Sequence, residues 1–288
     1  MRLIPGDVVS LMVTECGYAS DEEELRKSLG LHLPFHAQYW NYLMGAFRLD
    51  LGFSLWSGER VWSEIARRFP ISFELAIMAI LWTFVMGIPV GVISALKQDT
   101  AKDYFLRSFA IAGLSIPGFW IATIIMVFGA IWFKWVPPMG YIPFARDPLR
   151  NLLQLLVPSL VLAVALSASV MRMTRAMMLE VMREDYIRTA RAKGLSGWSI
   201  VTRHALKNAL IPVISISGVQ LGVLVGGTVV MESIFVLPGM GKFLLDAILW
   251  RDYPVIQGIN LFLATLIVFI NLLVDLMYGI LDPRIRYR

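Results

Sequence analysis

The sequence is poor in the residues that build disulfide frameworks and metal sites. It contains one cysteine, Cys16, and three histidines. A single cysteine cannot form an intrachain disulfide or a cysteine-rich zinc site, and three histidines argue against a histidine-ligated metal site. We therefore expect no bound metal.

Charge is also scarce. Only 16% of the 288 residues are charged and 57% are apolar, whereas soluble proteins average about 25% charged and about 45–50% apolar residues. The mean hydropathy is +0.67. These values exclude an ordinary soluble enzyme and a disordered regulator. The net charge of +5, without a clustered basic patch, gives no reason to expect a nucleic-acid partner.

Long apolar runs occupy much of the chain. A membrane-spanning helix needs about 20 predominantly apolar residues, and the backbone polar groups within lipid must be satisfied inside the segment. Five runs of that length contain no Asp, Glu, Lys or Arg. The sequence predicts an all-α, polytopic membrane helical bundle with spans at about 75–96, 108–133, 151–174, 208–231 and 255–281.

Lys and Arg residues in the connections predict the orientation of these spans. Residues 97–107, 172–207 and 284–288 together carry 14, whereas the alternate connections 134–150 and 232–251 carry 5. The first set, including the C-terminus, is therefore expected in the cytoplasm.

This orientation places residues 1–73 outside, as a segment with an interfacial helix within Ser28–Phe47. Residues 74–288 then form the transmembrane domain, with a cytoplasmic loop at 177–209. The outer segment carries 16 charged residues and has no signal-peptide apolar region. We therefore expect a further apolar span upstream of Met1, which would make six.

The long cytoplasmic loop is predicted to form two short helices. Leu179–Lys193 has a helix-forming composition, and Gly194 is placed as a C-capping glycine. Ser196–Leu210 is the second helical stretch, with Ser196 or Ser199 available as its N-cap. Such a loop fits a docking element for a cytoplasmic partner, but also a positively charged loop that only fixes orientation. Composition leaves both open.

Motifs in this loop carry a family resemblance. Residues 185–195 read DYIRTARAKGL, and residues 203–212 read RHALKNALIP. They resemble the coupling loop of binding-protein-dependent ABC transporter permeases, in the dipeptide, oligopeptide and nickel branch. The general permease pattern has Glu-Ala-Ala where this chain has Arg188-Thr189-Ala190, a difference that is ordinary in the peptide branch. The stretches that also agree are Arg2–Asp7, Asp50–Ser54, Gly113–Trp120, Leu237–Gly241, Arg251–Pro254 and Leu281–Ile285.

The resemblance implies a membrane-spanning subunit of an ATP-driven importer, with di- or oligopeptides as the expected substrates and glutathione or nickel complexes as alternatives. The family also has a first transmembrane helix immediately before the stretch that corresponds to Arg2–Asp7. The expected partners are a second homologous permease subunit, one or two cytoplasmic ATPase subunits, an extracytoplasmic substrate-binding protein and membrane lipid. The expected location is the bacterial or archaeal cytoplasmic membrane.

By the same resemblance, the first loop helix docks in a cleft of the ATPase. Small residues would keep this helix thin, and its cations would contact acidic groups of the partner. The implied ATPase-coupling residues are Arg188, Thr189, Ala190, Arg191, Ala192, Lys193, Gly194 and Leu195. The sequence contains no P-loop motif. We therefore expect a chain that is not itself an enzyme and binds no cofactor, with ATP and magnesium on the partner ATPase.

Prolines, glycines and acids within the apolar runs are further candidates. Prolines in membrane helices can act as kinks or be ordinary irregularities, and four are candidate kinks: Pro89, Pro117, Pro158 and Pro212. Glycines four residues apart predict close helix packing, and pore lining is the alternative role. These glycines are Gly218, Gly222 and Gly226, with Gly227 beside the last. Intramembrane acids are costly. Glu232 is expected near the outer edge within reach of water, in a gate or structural role, and Asp275 in a structural hydrogen bond near the inner face.

Two other classes of protein are weaker alternatives. A secondary transporter not driven by ATP would need paired ionisable residues at the membrane midplane or inverted repeats, and neither is evident. An intramembrane protease would need Ser/His or paired Asp residues within the spans. All three histidines lie outside the five runs.

Overall fold

The computed structural model describes residues 32–138 and 140–281, with single positions at 9, 23, 26 and 27, and without the side chains of 226–227 and 278–281. The Arg2–Asp7 stretch and residues 282–288 lie outside the described residues. The helices are α1 (Phe35–Phe47), α2 (Val61–Leu96), α3 (Ala101–Ser115), α4 (Gly118–Phe133), α5 (Pro148–Val181), α6 (Asp185–Ala192), α7 (Gly197–Ser199), a π-helical turn (Ile200–Ala205), α8 (Leu206–Gly227), α9 (Val229–Ile234), α10 (Met240–Leu249) and α11 (Tyr253–Leu281).

The predicted helical membrane bundle is confirmed. Within the described residues, four helices are long and apolar enough to cross a membrane, and the bent pair α3–α4 makes a fifth if it is counted as one span. The helix α2 has 36 residues, about 54 Å at 1.5 Å per residue, and begins well before the expected residue 75. It continues past the apolar run because Glu64 is paired there, with Arg68 Nη2 2.8 Å from its Oε2. It also crosses the predicted domain boundary at 73–74 without interruption.

The second expected span is not one straight helix. The axes of α3 and α4 differ by 85°, and the break lies at Ile116–Pro117. Both residues are extended, with ψ angles of 121° and 131°. Pro117 precedes α4, where its missing N–H costs no helical hydrogen bond. The candidate kink at Pro117 therefore lies at a sharp bend within the predicted span 108–133.

The other three candidate kinks lie inside helices. Pro89 is within α2, Pro158 within α5 and Pro212 within α8. The fourth expected span, 208–231, ends earlier than predicted: α8 stops at Gly227, and Val229–Ile234 forms the separate helix α9. Whether any of the three internal prolines moves during function stays a prediction.

Two glycines that the sequence analysis did not single out hold the central helix pair together. A Cβ at Gly87 would lie 2.9 Å from the Ser167 carbonyl oxygen, and one at Gly91 would lie 2.7 Å from the Met171 carbonyl oxygen. Only glycine permits this approach of α2 to α5. Backbone contact over one helical turn makes α2 and α5 the centre of the fold.

The predicted glycine packing is confirmed where the structure describes it. A Cβ at Gly218 would overlap the Val274 side chain, and one at Gly222 would lie 3.7 Å from Ile267. Both contacts are with α11, so this face of α8 packs against another helix. The side chains at positions 226 and 227 are outside the described set.

The predicted outer segment contains the expected helix. α1 spans Phe35–Phe47 and has no buried residue. Its aromatic side chains Phe35, Tyr39 and Trp40 are more than half exposed. Such a surface is typical of an interfacial helix, and its placement at the membrane surface stays a prediction.

Candidate coupling site

The candidate coupling helix α6 is shorter than predicted. It spans Asp185–Ala192, because the span α5 continues through Leu179 to Val181. A turn separates the two helices, with Glu184 N–H donating to the Val181 carbonyl at 3.1 Å. Glu184 itself is extended. The sequence showed helix-forming residues on both sides of this turn and therefore merged the two helices.

The end of α6 is confirmed at Gly194. Gly194 has φ +76°, the left-handed conformation that suits glycine. Its N–H donates to the Arg191 carbonyl at 2.9 Å, and Leu195 N–H donates to the Ala190 carbonyl at 3.3 Å. This pair of bonds is the Schellman arrangement. The next element begins with Ser196 as N-cap, whose Oγ accepts from Ser199 N–H at 3.3 Å.

The inner face of α6 packs on the ends of the spans. Ile187 is fully buried and Ala190 is 7% exposed. They belong to one apolar cluster with Ala95, Met178, Ile200, Val201, Ala205 and Ala209. The members come from α2, α5, the π-helical turn and α8. A force applied to α6 therefore reaches three span helices through direct packing.

A polar contact reinforces this packing. Asn208 Nδ2 donates to the Tyr186 hydroxyl at 2.8 Å. The Tyr186 hydroxyl in turn donates to the His204 carbonyl oxygen at 3.4 Å. Tyr186 thus joins α6 to the start of α8. The bond connects the two stretches, 185–195 and 203–212, that carry the resemblance.

The outer face of α6 presents cations to solvent. Of the eight predicted coupling residues, seven are exposed: Arg188, Thr189, Arg191, Ala192, Lys193, Gly194 and Leu195. The side chain of Ala190 is buried against the chain itself, and its role in coupling stays a prediction. Arg188 Nη1 lies 3.1 Å from Asp185 Oδ1 with both side chains exposed. Such a pair is weak, so Arg188 can exchange it for a partner's carboxylate.

A buried ion pair lies close to this site and was missed from the sequence. Asp103 is completely buried. Its carboxylate accepts from Arg175 Nε at 3.0 Å and from Arg175 Nη2 at 2.7 Å. Ser94 Oγ also donates to it, as does Asp99 N–H at 3.2 Å. These bonds tie the start of α3 to α2 and α5. The residues are up to 72 positions apart, so no local pattern indicated them.

Comparison with known proteins assigns the chain to a family. The sequence matches the family described as "Binding-protein-dependent transport system inner membrane component" over residues 87–287. The chain belongs to this family. The matched region contains all of α6, α5 and α8 and the last part of α2. The chain is accordingly a multi-pass membrane protein.

Relatives of this permease family align along the whole chain. A Brucella abortus protein, provisionally named a peptide transport system permease protein, is 43% identical over 100% of this chain and 91% of its own length. The dipeptide transport system permease protein DppB of Escherichia coli K12 is 38% identical over 100% of this chain and 92% of its own. Among solved structures, a chain of the MetNI methionine ABC transporter has a TM-score of 0.59 at 18% identity, covering 76% of this chain and 96% of that one. The last likeness concerns the fold alone.

At the predicted outer side of this permease, Glu232 is a buried acid. The side chain is completely buried. Its Oε1 accepts from Ser72 Oγ at 2.6 Å and from Thr228 Oγ1 at 2.5 Å, and its Oε2 accepts from Lys242 N–H at 2.8 Å. The carboxylate thus caps the first turn of α10. Our expectation that water reaches Glu232 was wrong, because α9, α10 and α2 close over it.

The N-terminus of α10 is fastened by a second bond in this network. Met240 N–H donates to Ser72 Oγ at 2.8 Å, and a Cβ at Gly239 would overlap the Glu232 carboxyl carbon. The permease stretch Leu237–Gly241 is therefore shaped around Glu232. These contacts favour the structural role for this acid.

Asp275 differs from Glu232 in its surroundings. It lies on an exposed part of α11 and is therefore not one of the buried acids of the described spans. The predicted structural hydrogen bond of Asp275 stays a prediction.

Two further contacts organise the predicted outer loops. Ser54 Oγ donates to Asp252 Oδ2 at 2.5 Å, which joins the stretches Asp50–Ser54 and Arg251–Pro254. Tyr141 donates to Glu74 Oε2, also at 2.5 Å. Burial and this bond raise the pKa of the Tyr141 hydroxyl above its ordinary value, so the phenol stays protonated. The outer loops are thereby fixed to the spans.

Proposed function

We propose that this chain is the membrane-spanning permease subunit of an ATP-driven importer, and that its substrates are di- or oligopeptides. The observation that carries the proposal is the position of α6, which packs on the inner ends of α2, α5 and α8 and turns its cations outward. The names of the relatives, which refer to peptide and dipeptide transport, support the substrate class. These relatives are 38–43% identical to this chain along its whole length.

The chain transmits work and does not hydrolyse ATP. Its sequence lacks a P-loop, so ATP and magnesium bind to a partner ATPase, and this chain holds no cofactor. The ATPase receives α6 in a cleft, with Arg188, Arg191 and Lys193 facing its acidic groups. When the cleft moves, Ile187 and Tyr186 pass the displacement to the spans.

The assembly needs further subunits. A second homologous permease completes the translocation path, one or two ATPases bind the cytoplasmic side, and a substrate-binding protein delivers peptide on the outer side. The C-terminus is cytoplasmic, because Lys and Arg concentrate in the connections on that side, 14 against 5.

Reconstituted transport tests this proposal. The tagged chain is purified in detergent with its co-purifying subunits, which mass spectrometry identifies, and the complex is placed in liposomes. We expect accumulation of a labelled dipeptide that requires ATP and the binding protein, and no accumulation of a labelled nickel complex. Uptake driven by an ion gradient without ATP would establish a secondary transporter instead.

A variant of the coupling site makes the test specific. Gly194→Arg should leave the chain inserted in the membrane but abolish ATP-dependent uptake, since the bulky side chain stands at the exposed end of α6. Gly197→Ala is the matched control, because a Cβ at Gly197 meets no atom within 4 Å and the residue does not have a positive φ.

A further inference from the structure

The inner half of the bent span is fastened to the helices that carry the coupling helix. Asp103, in the first turn of α3, receives two bonds from Arg175 of α5 and one from Ser94 of α2. Further along α3, Ala110 is buried with Met171 and Ala168 of α5. Arg175 is one helical turn before Met178, which lies in the apolar cluster beneath α6.

The burial of this ion pair makes it a strong constraint. Asp103 is fully buried and the Arg175 side chain is 18% exposed. A buried pair with good geometry and additional hydrogen bonds holds its partners in one arrangement, and removing one member leaves an unpaired charge. The start of α3 therefore cannot separate from α2 and α5 at low cost.

The outer half of the span is held by different contacts. In α4 one residue, Ala122, is buried among those described. It packs with Met231 and Phe235 near the outer side, in a cluster separate from that of α3. No buried ion pair joins α4 to its neighbours in the described part of the chain.

The junction between the halves is built to bend. Ile116 and Pro117 are both extended, and Pro117 has no N–H with which to continue the ladder of α3. An apolar cavity of about 470 Å³ is lined mainly by α2, α3 and α5, and its lining includes Ile116 of the junction and Ile121 in the first turn of α4. It provides space for the first turn of α4 to move.

We propose that Asp103 is a positioning residue for coupling: through Arg175 and Ser94 it makes α3 move with the coupling helix, and the motion is taken up at Ile116–Pro117 by a pivot of α4. This inference rests on the proposed function. Movement of the cytoplasmic site is thus converted into a change of the angle within one span, rather than into displacement of the whole span.

Distance measurements test the pivot. Spin labels are attached by cysteine in a Cys16→Ser background to the full complex at three exposed positions: Phe105 of α3, Lys207 of α8 and Trp132 of α4. Between the nucleotide-free and ATP-trapped states, we expect the Phe105–Lys207 distance to stay constant and the Phe105–Trp132 distance to change. A changing Phe105–Lys207 distance with a constant Phe105–Trp132 distance would overturn the proposal. Two unchanged distances in a complex that transports would also overturn it.

A second measurement tests Asp103 itself. The amount of peptide imported per ATP hydrolysed does not depend on how much folded complex is present, so a purely structural defect leaves it unchanged. We expect Asp103→Asn to lower this ratio about fivefold or more, a typical size for a coupling effect, while ATP hydrolysis continues. Asp103→Glu should restore part of it.

The control is Asp147→Asn, which alters an exposed pair with Arg150 on the outer side and should leave the ratio unchanged. An Asp103→Asn complex with the wild-type ratio would show that the ion pair has no part in coupling. If instead the wild-type complex neither transports peptide nor hydrolyses ATP, the proposed function fails, and this outcome is distinct from failure of the positioning role.

Discussion

The side-chain nitrogen of Asn208 lies 2.8 Å from the Tyr186 hydroxyl and donates a hydrogen bond to it. This bond joins the coupling helix to the first turn of the span that follows. Because it crosses from one element to the other, we expect it to carry displacement between them independently of the exposed face of α6.

Removing this hydroxyl should weaken coupling without preventing assembly. Tyr186→Phe deletes one bond to Asn208 and one to the His204 carbonyl, each worth about 0.5–1.5 kcal/mol. We expect normal amounts of complex and a lower uptake rate per ATP hydrolysed. Asn208→Ala should have a similar effect, since it removes the same bond and one from Asn208 Nδ2 to the His204 carbonyl. The loss in the double variant should be smaller than the sum of the two single losses, because both changes remove the Tyr186–Asn208 bond. Fully additive losses would mean that the two residues act separately.

Substitutions at Gly194 should rank by their tolerance of a left-handed backbone. The residue has φ +76°, and a Cβ at this position would meet no atom within 4 Å, so strain and not collision inside the chain sets the cost. Non-glycine residues pay about 1–2 kcal/mol there, with Asn among the least affected. At equal protein abundance, we expect uptake to be highest for wild type and to fall through Gly194→Asn and Gly194→Ala to Gly194→Val. Equal uptake by the Asn and Val variants would contradict this order.

Charge on the exposed face of α6 should govern association with the ATPase. Reversing Arg188 and Arg191 together to Glu should weaken binding more at low salt than at high salt. The Debye length is about 8 Å at physiological ionic strength and about 3 Å at 1 M salt, so exposed pairs are screened as salt rises. The measurement is the dissociation constant of the ATPase on immobilised permease across a salt series.

The control for this series is reversal of Arg146 and Arg150, two exposed cations in the predicted outer connection. This reversal should leave the dissociation constant of the ATPase unchanged at every salt concentration. If the Arg188/Arg191 variant binds the ATPase as tightly as wild type at every salt concentration, α6 docks through apolar contacts such as Leu195.

Close packing of α2 on α5 gives a stability prediction. Gly91→Ala would place a Cβ 2.7 Å from the Met171 carbonyl oxygen, and backbone cannot yield as a flexible side chain can. Overpacking of this kind costs about 1–3 kcal/mol. We expect a lower melting temperature for the purified complex, whereas Gly197→Ala should leave it within error. An unchanged melting temperature for Gly91→Ala would show that the helices can separate freely.

Local signals in the sequence predicted the parts of the fold that local physics determines. Runs without charge locate spans because charge is costly in lipid, and Gly194 ended α6 because its conformation excludes most other residues. Pro117 was a candidate kink, but the size of the bend was not predicted, since the run 108–133 is apolar on both sides of it. Composition does not distinguish a kinked helix from a sharp bend.

Contacts between distant residues could not be predicted in this way. Arg175 was counted only as a cation of a cytoplasmic connection, yet it reaches Asp103, 72 residues away. Glu232 ends an apolar run, a position that usually faces water, and its burial depends on Ser72, 160 residues earlier. Both pairings arise from helix packing, which one sequence alone does not specify.

The Glu232 network should make this acid a determinant of stability. Glu232→Ala would leave two buried hydroxyls, Ser72 Oγ and Thr228 Oγ1, and the half-buried Lys242 N–H without their acceptor. An unsatisfied buried donor costs about 1–3 kcal/mol, so we expect a clear fall in melting temperature and in the amount of assembled complex. Glu59→Ala is the matched control, because it makes the same change at an exposed glutamate. If Glu232 were a proton-carrying gate instead, Glu232→Gln would leave stability intact and remove a pH dependence of transport, and that pattern would reject the structural role of this acid.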